Sequence, residues 1–136
     1  MFFVGTSAPG KSVNVSPKGV TPLKVLGKNK AAYIDFAGSG NRTAEDIAEG
    51  STVTVMFCSF SAEPLILRLF CNGEAVTPSD AKFAELSLLW PDVPGKHVRT
   101  IFMLDIFKVQ TSCGYGVPVF EYIGLKPTVS GLVGKG

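Results

Sequence analysis

At 136 residues the chain is long enough for one domain with a hydrophobic core and too short for two ordinary ones. Hydrophobic residues make up 46% and charged residues 18%, with no polar tract, which excludes a disordered chain. The formal net charge is +2 and no stretch gathers Lys and Arg, so a nucleic-acid-binding surface is excluded as well.

In chain order, residues 2–5 form an apolar strand closed by the loop 7–11, and residues 13–16 alternate before Pro17-Lys18-Gly19 stops them. Strands follow at 23–26 and 31–36, the second ending in the small-residue loop Ala37-Gly38-Ser39-Gly40. Asn41 as N-cap, early acids and Gly50 as the closing glycine predict a short helix over 41–50. Residues 51–60 and 65–71 are strands, with Asn72-Gly73 as a bulge or a tight turn. Apolar residues at helical spacing predict a second helix over 78–89. Residues 98–110 are the longest strand-like run. Both of its faces are apolar, so it either crosses between sheet surfaces or lies under a partner, which points to a dimer. A last short strand is expected over 119–123. About seven strands and two helices, without βαβ alternation, argue for a mostly β antiparallel barrel.

Cys58, Cys71 and Cys113 have no CxxC pair, and buried free thiols in a reducing compartment are expected. The first nine residues have no basic lead, and no apolar stretch is long enough to span a bilayer. The expectation is a cytoplasmic protein with neither membrane nor nucleic acid as partner.

Gly5-Thr6-Ser7-Ala8-Pro9-Gly10-Lys11-Ser12 matches the phosphate-loop pattern GxxxxGK[ST], and Asp35 ends a strand as a magnesium-binding Asp would. That loop works only where it opens a helix. The β-branched alternation after it, cut by Pro17 and Gly19, predicts a strand instead, and a hairpin loop is the preferred reading.

Three other segments carry chemistry. Val13-Asn14-Val15-Ser16-Pro17-Lys18-Gly19 offers a hydroxyl and a lysine at a strand end. Gly38-Ser39-Gly40-Asn41-Arg42-Thr43 opens the first helix with an arginine and two hydroxyls, a combination suited to phosphate. Ser112-Cys113-Gly114-Tyr115-Gly116-Val117-Pro118 is a glycine-rich loop with an aromatic. With Met56-Phe57-Cys58-Ser59-Phe60 and Leu67-Arg68-Leu69-Phe70 between them, these blocks resemble, in order and over nearly the whole chain, the pyridoxamine phosphate oxidase-like FMN-binding split-barrel family.

The resemblance implies a six-stranded, Greek-key split β-barrel, a homodimer, and FMN in a groove between subunits. Residues 41–47 lie over the family's phosphate-gripping S-R-K-x-x-E-L segment, with Arg42 on its Arg and Thr43 in place of its Lys, and Lys18 on the lysine that ends the preceding strand. It therefore implies Arg42, Lys18, Thr43, Asn41 and Ser16 around the FMN phosphate and ribityl chain. The backbone of Val15 to Pro17 is placed beside the flavin ring, and Gly114 and Tyr115 at the ring edge, from this subunit or its partner. The genuine oxidases' Q-V-R motif appears as Ile66-Leu67-Arg68, their substrate-phosphate residues find no match in 78–89, and their C-terminal R-x-H element is absent. Arg68 stays open between a buried ion pair and a flavin-facing charge, and His97 is expected at the surface. The expected function is a flavin-dependent oxidoreductase of another substrate, with NADH or NADPH as candidate electron donors. A non-catalytic FMN carrier and a cofactor-free dimeric interaction domain are the alternatives.

Overall fold

A computed structural model describes residues 1–19, 21–38 and 40–127. Among them, seven strands form one antiparallel sheet: β1 (Phe2–Thr6), β2 (Asn14–Lys18), β3 (Lys24–Gly27), β4 (Lys30–Phe36), β5 (Val53–Cys58), β6 (Ile66–Val76) and β7 (Val98–Ser112). Their order is β2-β1-β5-β6-β7-β4-β3. The sheet curls without closing, and the fold is a mostly β split barrel with the seven strands the pattern predicts, one more than the six the resemblance implies. Two short helices, α1 (Arg42–Ala48) and α2 (Phe83–Ser87), complete it.

Side chains alternate across each strand, and here both faces are used. Ala31 and Tyr33 of β4, with Phe102 and Leu104 of β7, join Phe2, Val4, Val53 and Val55 in the barrel interior. Ala32 and Ile34, with Val98 and Ile101, point outward into a second core closed by Phe83, Trp90 and Val93. The first half of β7 is thus covered on both faces by its own chain. That accounts for its two apolar faces without a partner.

Several elements differ from expectation. The strand over 13–16 runs on through Pro17 and Lys18, because β2 is an edge strand, where a missing N–H leaves no ladder bond broken. Asn72-Gly73 makes neither turn nor bulge; β6 continues through it, and the register shift falls between Phe70 and Cys71. A Cβ on Gly73 would stand 2.8 Å from Val53 and 2.9 Å from Ile47, so the glycine lets α1 lie against the sheet. The helix expected over 78–89 shrinks to α2, five residues between turns. Residues 119–123 form no strand; they are held at one point, where Phe120 N–H donates to the Phe60 carbonyl and the two rings meet edge-on at 5.6 Å.

The phosphate-loop lookalike connects β1 to β2, two strands of an antiparallel pair, and opens no helix. Among the described residues no helix is long and apolar enough to cross a membrane, and no cluster of His, Cys, Asp and Glu could hold a metal. The three cysteines are free. Cys71 is buried, which together with nearby Asp105 pushes its thiol up to about 11, but Cys58 is half-buried and Cys113 is exposed, lying past the last paired residue of β7.

Candidate functional site

The β1–β2 pairing sets Lys18 opposite Phe2, Ser16 opposite Val4 and Asn14 opposite Thr6. Directly paired residues share a face, so Asn14, Ser16 and Lys18 follow the inward-facing residues of β1 toward the open edge of the barrel. Asp35 continues the inward parity of Ala31 and Tyr33 on β4. These two rows and the start of α1 enclose a cleft of about 260 Å³, to which Arg42, Thr43 and Arg99 also contribute.

Two ion-paired groups organise it. Lys18 Nζ lies 2.7 Å from Asp35 Oδ1, and Arg99 Nη2 lies 2.7 Å from Asp35 Oδ2, so one carboxylate joins β2, β4 and β7. Arg99 also donates to the carbonyls of Gly38, at 3.2 Å, and Gly40, which fixes the loop leading into α1. Behind Arg42 sits Asp46, fully buried one turn along the helix. Its Oδ1 accepts from Arg42 Nε at 2.6 Å and its Oδ2 from the Thr6 hydroxyl at 2.7 Å. Burial alone would raise this carboxyl, but the hydrogen bonds from Arg42 and Thr6 and the charges of Arg42 and Lys11 outweigh it and hold the group below its usual value. Arg42 Nη2 donates to the Ser12 carbonyl at 2.7 Å, and Asn14 Nδ2 donates to both Thr6 and Thr43 at 3.3 Å. Helix α1 ends in a Schellman motif, with Gly50 at φ 91° and N–H bonds from Gly50 to Ile47 and from Ser51 to Asp46. The helix is therefore stopped at its C-terminal end, with Arg42 at its first position.

Of the residues expected around a phosphate, Ser16, Lys18, Asn41, Arg42 and Thr43 all line this cleft. Asn41 occupies the N-cap position but makes no side-chain cap bond. Val15 and Pro17 belong to the opposite, exposed face of β2 and are not among the lining residues of the cleft. Ser39 lies outside the described residues. Gly114 and Tyr115 are not among the lining residues of the cleft within this chain: Gly114 is buried against the Leu65 backbone and Tyr115 is exposed. Arg68 donates to the Ser112 hydroxyl at 3.1 Å, across β6 and β7. His97 is half-buried in the turn before β7.

Sequence reasoning missed Arg99 and Asp46, and it noted Asp35 only as a metal-binding lookalike. Asp46 stood in the open at i+4 from Arg42, the spacing of a helical ion pair. Arg99 had no sequence signal. Asp35 pairs with Thr100 but Phe36 pairs with Val98, which leaves Arg99 as the extra residue of a bulge. Bulges re-aim side chains, and this one delivers a cation to the cleft from a strand that reads as continuous core.

Two donors in the cleft await a partner. The Ser16 hydroxyl and Arg99 Nε are buried and have no hydrogen-bond partner among the described residues. Such groups are few in native proteins, and an acceptor supplied by a ligand or by water accounts for them here. Three cations face two carboxylates, one of them turned away beneath Arg42, so the cleft is net positive. These are the needs of a ligand with an anionic group and several oxygens. A larger groove of about 640 Å³, lined by Met1, Phe60, Phe120, Tyr122 and Leu125 among others, is mainly apolar and brings no such group of donors together.

Comparison with known proteins agrees with this architecture. Residues 1–113 match the family model described as pyridoxamine 5'-phosphate oxidase. The pyridoxamine 5'-phosphate oxidase family protein ustO of Aspergillus flavus is 44% identical over 125 residues, covering 89% of this chain and 50% of ustO, so the chain spans about half the length of that relative. Among solved structures, HupZ of Group A Streptococcus superposes with a TM-score of 0.63 at 13% identity, over 79% of this chain and 81% of HupZ. An FMN-binding protein of Syntrophomonas wolfei gives 0.59 at 13% identity, over 81% and 75%. At such identities the two structures speak for the fold.

Proposed function

The chain belongs to the pyridoxamine 5'-phosphate oxidase family, and on that premise we propose that it binds FMN in the cleft beside α1 and acts, as a homodimer, as a flavin-dependent oxidoreductase. The observation that carries the reading is the convergence of Lys18, Arg42 and Arg99 with the partnerless Ser16 hydroxyl and Arg99 Nε–H in one cleft. A phosphomonoester brings close to two negative charges and three acceptor oxygens, and a polyol chain brings further acceptors. The donor set fits both.

Arg42 and Lys18 hold the phosphoester. Arg42 arrives already oriented, since Asp46 and the Ser12 carbonyl fix its guanidinium before any ligand binds. Ser16, Asn41 and Thr43 meet the polyol. Ligand pockets for cofactors run from about 300 Å³ upward, and about 260 Å³ accommodates the phosphoester and polyol but not a tricyclic ring besides. The ring then lies along the backbone of Val15 to Pro17, outside the cleft, where a second copy covers it and contributes Gly114 and Tyr115. Exposed Phe107, Val109 and Val119 supply apolar surface for such a copy. FMN, once bound, supplies hydride and single-electron chemistry, while the chain binds it, orients it and limits access of water.

The test is a fluorescence titration of FMN with the purified chain. Arg42→Ala is expected to weaken binding about ten- to hundredfold, the worth of a charge-assisted phosphate contact. Unchanged affinity, in a variant whose melting curve shows it folded, removes the site. Rapid bleaching of the bound flavin by NADH or NADPH supports an oxidoreductase, and a flavin that neither donor reduces supports the carrier reading instead.

A further inference from the structure

We propose that Arg99 is a third cationic contact to the anionic group of the bound ligand, delivered by the β7 bulge; this rests on the cleft and deepens the flavin reading of it. No sequence block places an arginine here. In a regular ladder Arg99 would alternate with its neighbours Val98 and Thr100, which are buried on either side of it. The extra residue in the β4–β7 register frees Arg99 from a partner on β4 and brings its side chain to the cleft.

Its guanidinium is immobilised before a ligand arrives. Nη2 is held by Asp35 and the Gly40 carbonyl, and Nη1 by the Gly38 carbonyl. A side chain used only as a clamp for this loop would need no more than that. Nε–H is left over, buried and without an acceptor, although a guanidinium presents its donors as a fixed fork suited to phosphate oxygens. Asp35 does not fully neutralise it, because the same carboxylate also serves Lys18 at the same distance. One positive charge is therefore uncompensated on the Lys18–Asp35–Arg99 side of the cleft, facing Arg42 on the other. An anion beside Arg99 gives Nε–H its acceptor and balances that charge.

The clamp and the contact make different predictions, because riboflavin has the ring and polyol of FMN but no phosphate. FMN and riboflavin are titrated into the wild-type chain and into Arg99→Gln. If Arg99 touches the phosphoester, Arg99→Gln loses about ten- to hundredfold more in FMN affinity than in riboflavin affinity. Equal losses for both ligands, or no loss for FMN, overturn the contact and leave a loop clamp. Should Arg99→Gln fail to fold, Arg99→Lys, which keeps a charge for Asp35 without the fork, is read in the same way, with about a tenfold loss of preference for FMN expected. If the wild-type chain takes up neither flavin, the flavin reading fails by itself. Inorganic phosphate then decides on Arg99: a melting temperature raised by phosphate in wild type but not in the variant upholds the contact, and an equal response or none overturns it.

Discussion

β7 loses register twice, at Arg99 against β4 and at Phe107 against β6. At the first, the extra residue turns into the cleft and is met by a carboxylate and two carbonyls of the same chain. At the second, the extra residue is an aromatic left 58% exposed, with Val109 exposed beside it to the same degree. One strand thus carries an end that lacks an acceptor for one N–H and an end left open as an apolar surface. The polar end needs only a small ligand, whereas the apolar end needs a surface, and the proposed homodimer supplies it.

The sharpest way to break this contrast is at Phe107. Replacing Phe107 and Val109 together by Glu puts two charges where a second copy is expected to pack, and the dimer should weaken by at least about a hundredfold, the loss typical of a central anchor. Light scattering across a dilution series reads it. A wild-type chain that is already monomeric, or a double variant that stays dimeric, removes the apolar end as an interface. A smaller effect is expected just beyond β7, where a Cβ on Gly114 would stand 2.8 Å from the Leu65 backbone nitrogen. Backbone cannot give way as a side chain does, so Gly114→Ala should lose about 1–3 kcal/mol in a urea titration. No loss would mean that the loop is not held against Leu65.

The smallest effect separates two kinds of partnerless donor. Tyr33 is fully buried, stacked on Phe102 at 4.9 Å, and its hydroxyl has no partner among the described residues. Burial first, then the nearby Asp35 and Cys71, push its ionisation far above the ordinary range. Unlike Ser16 and Arg99, Tyr33 does not line the cleft, so no ligand is expected to satisfy it. Tyr33→Phe should raise stability by about 1 kcal/mol and leave FMN affinity unchanged. A stability loss would show that the hydroxyl has an acceptor after all.

What the sequence disclosed follows the same division. Local signals were legible: strands bounded by Gly and Pro, a helix closed by Gly50, and the Arg42 and Lys18 positions that both reach the cleft. The five core positions of the site, Ser16, Lys18, Asn41, Arg42 and Thr43, come from two short segments whose family pattern keeps them together. Properties of pairing were hidden. A register shift depends on two strands 64 residues apart, as Arg99 and Asp35 are, and no window along one of them reveals it. The expected strand over 119–123 failed for a related reason. Its residues, apolar or aromatic apart from Glu121, suit a strand, but apart from the contact at Phe60 the segment meets no strand edge to pair with.

The bridge made by Asp35 also decides how the barrel's mouth behaves. β2 ends one edge of the sheet, and it is linked to β4 there by Lys18 and a carboxylate, not by a ladder of peptide groups. The seam is therefore electrostatic. Its two side chains are only 20% and 17% exposed, so added salt screens the link far less than it would a surface pair, and the opening is expected to hold its width as ionic strength changes.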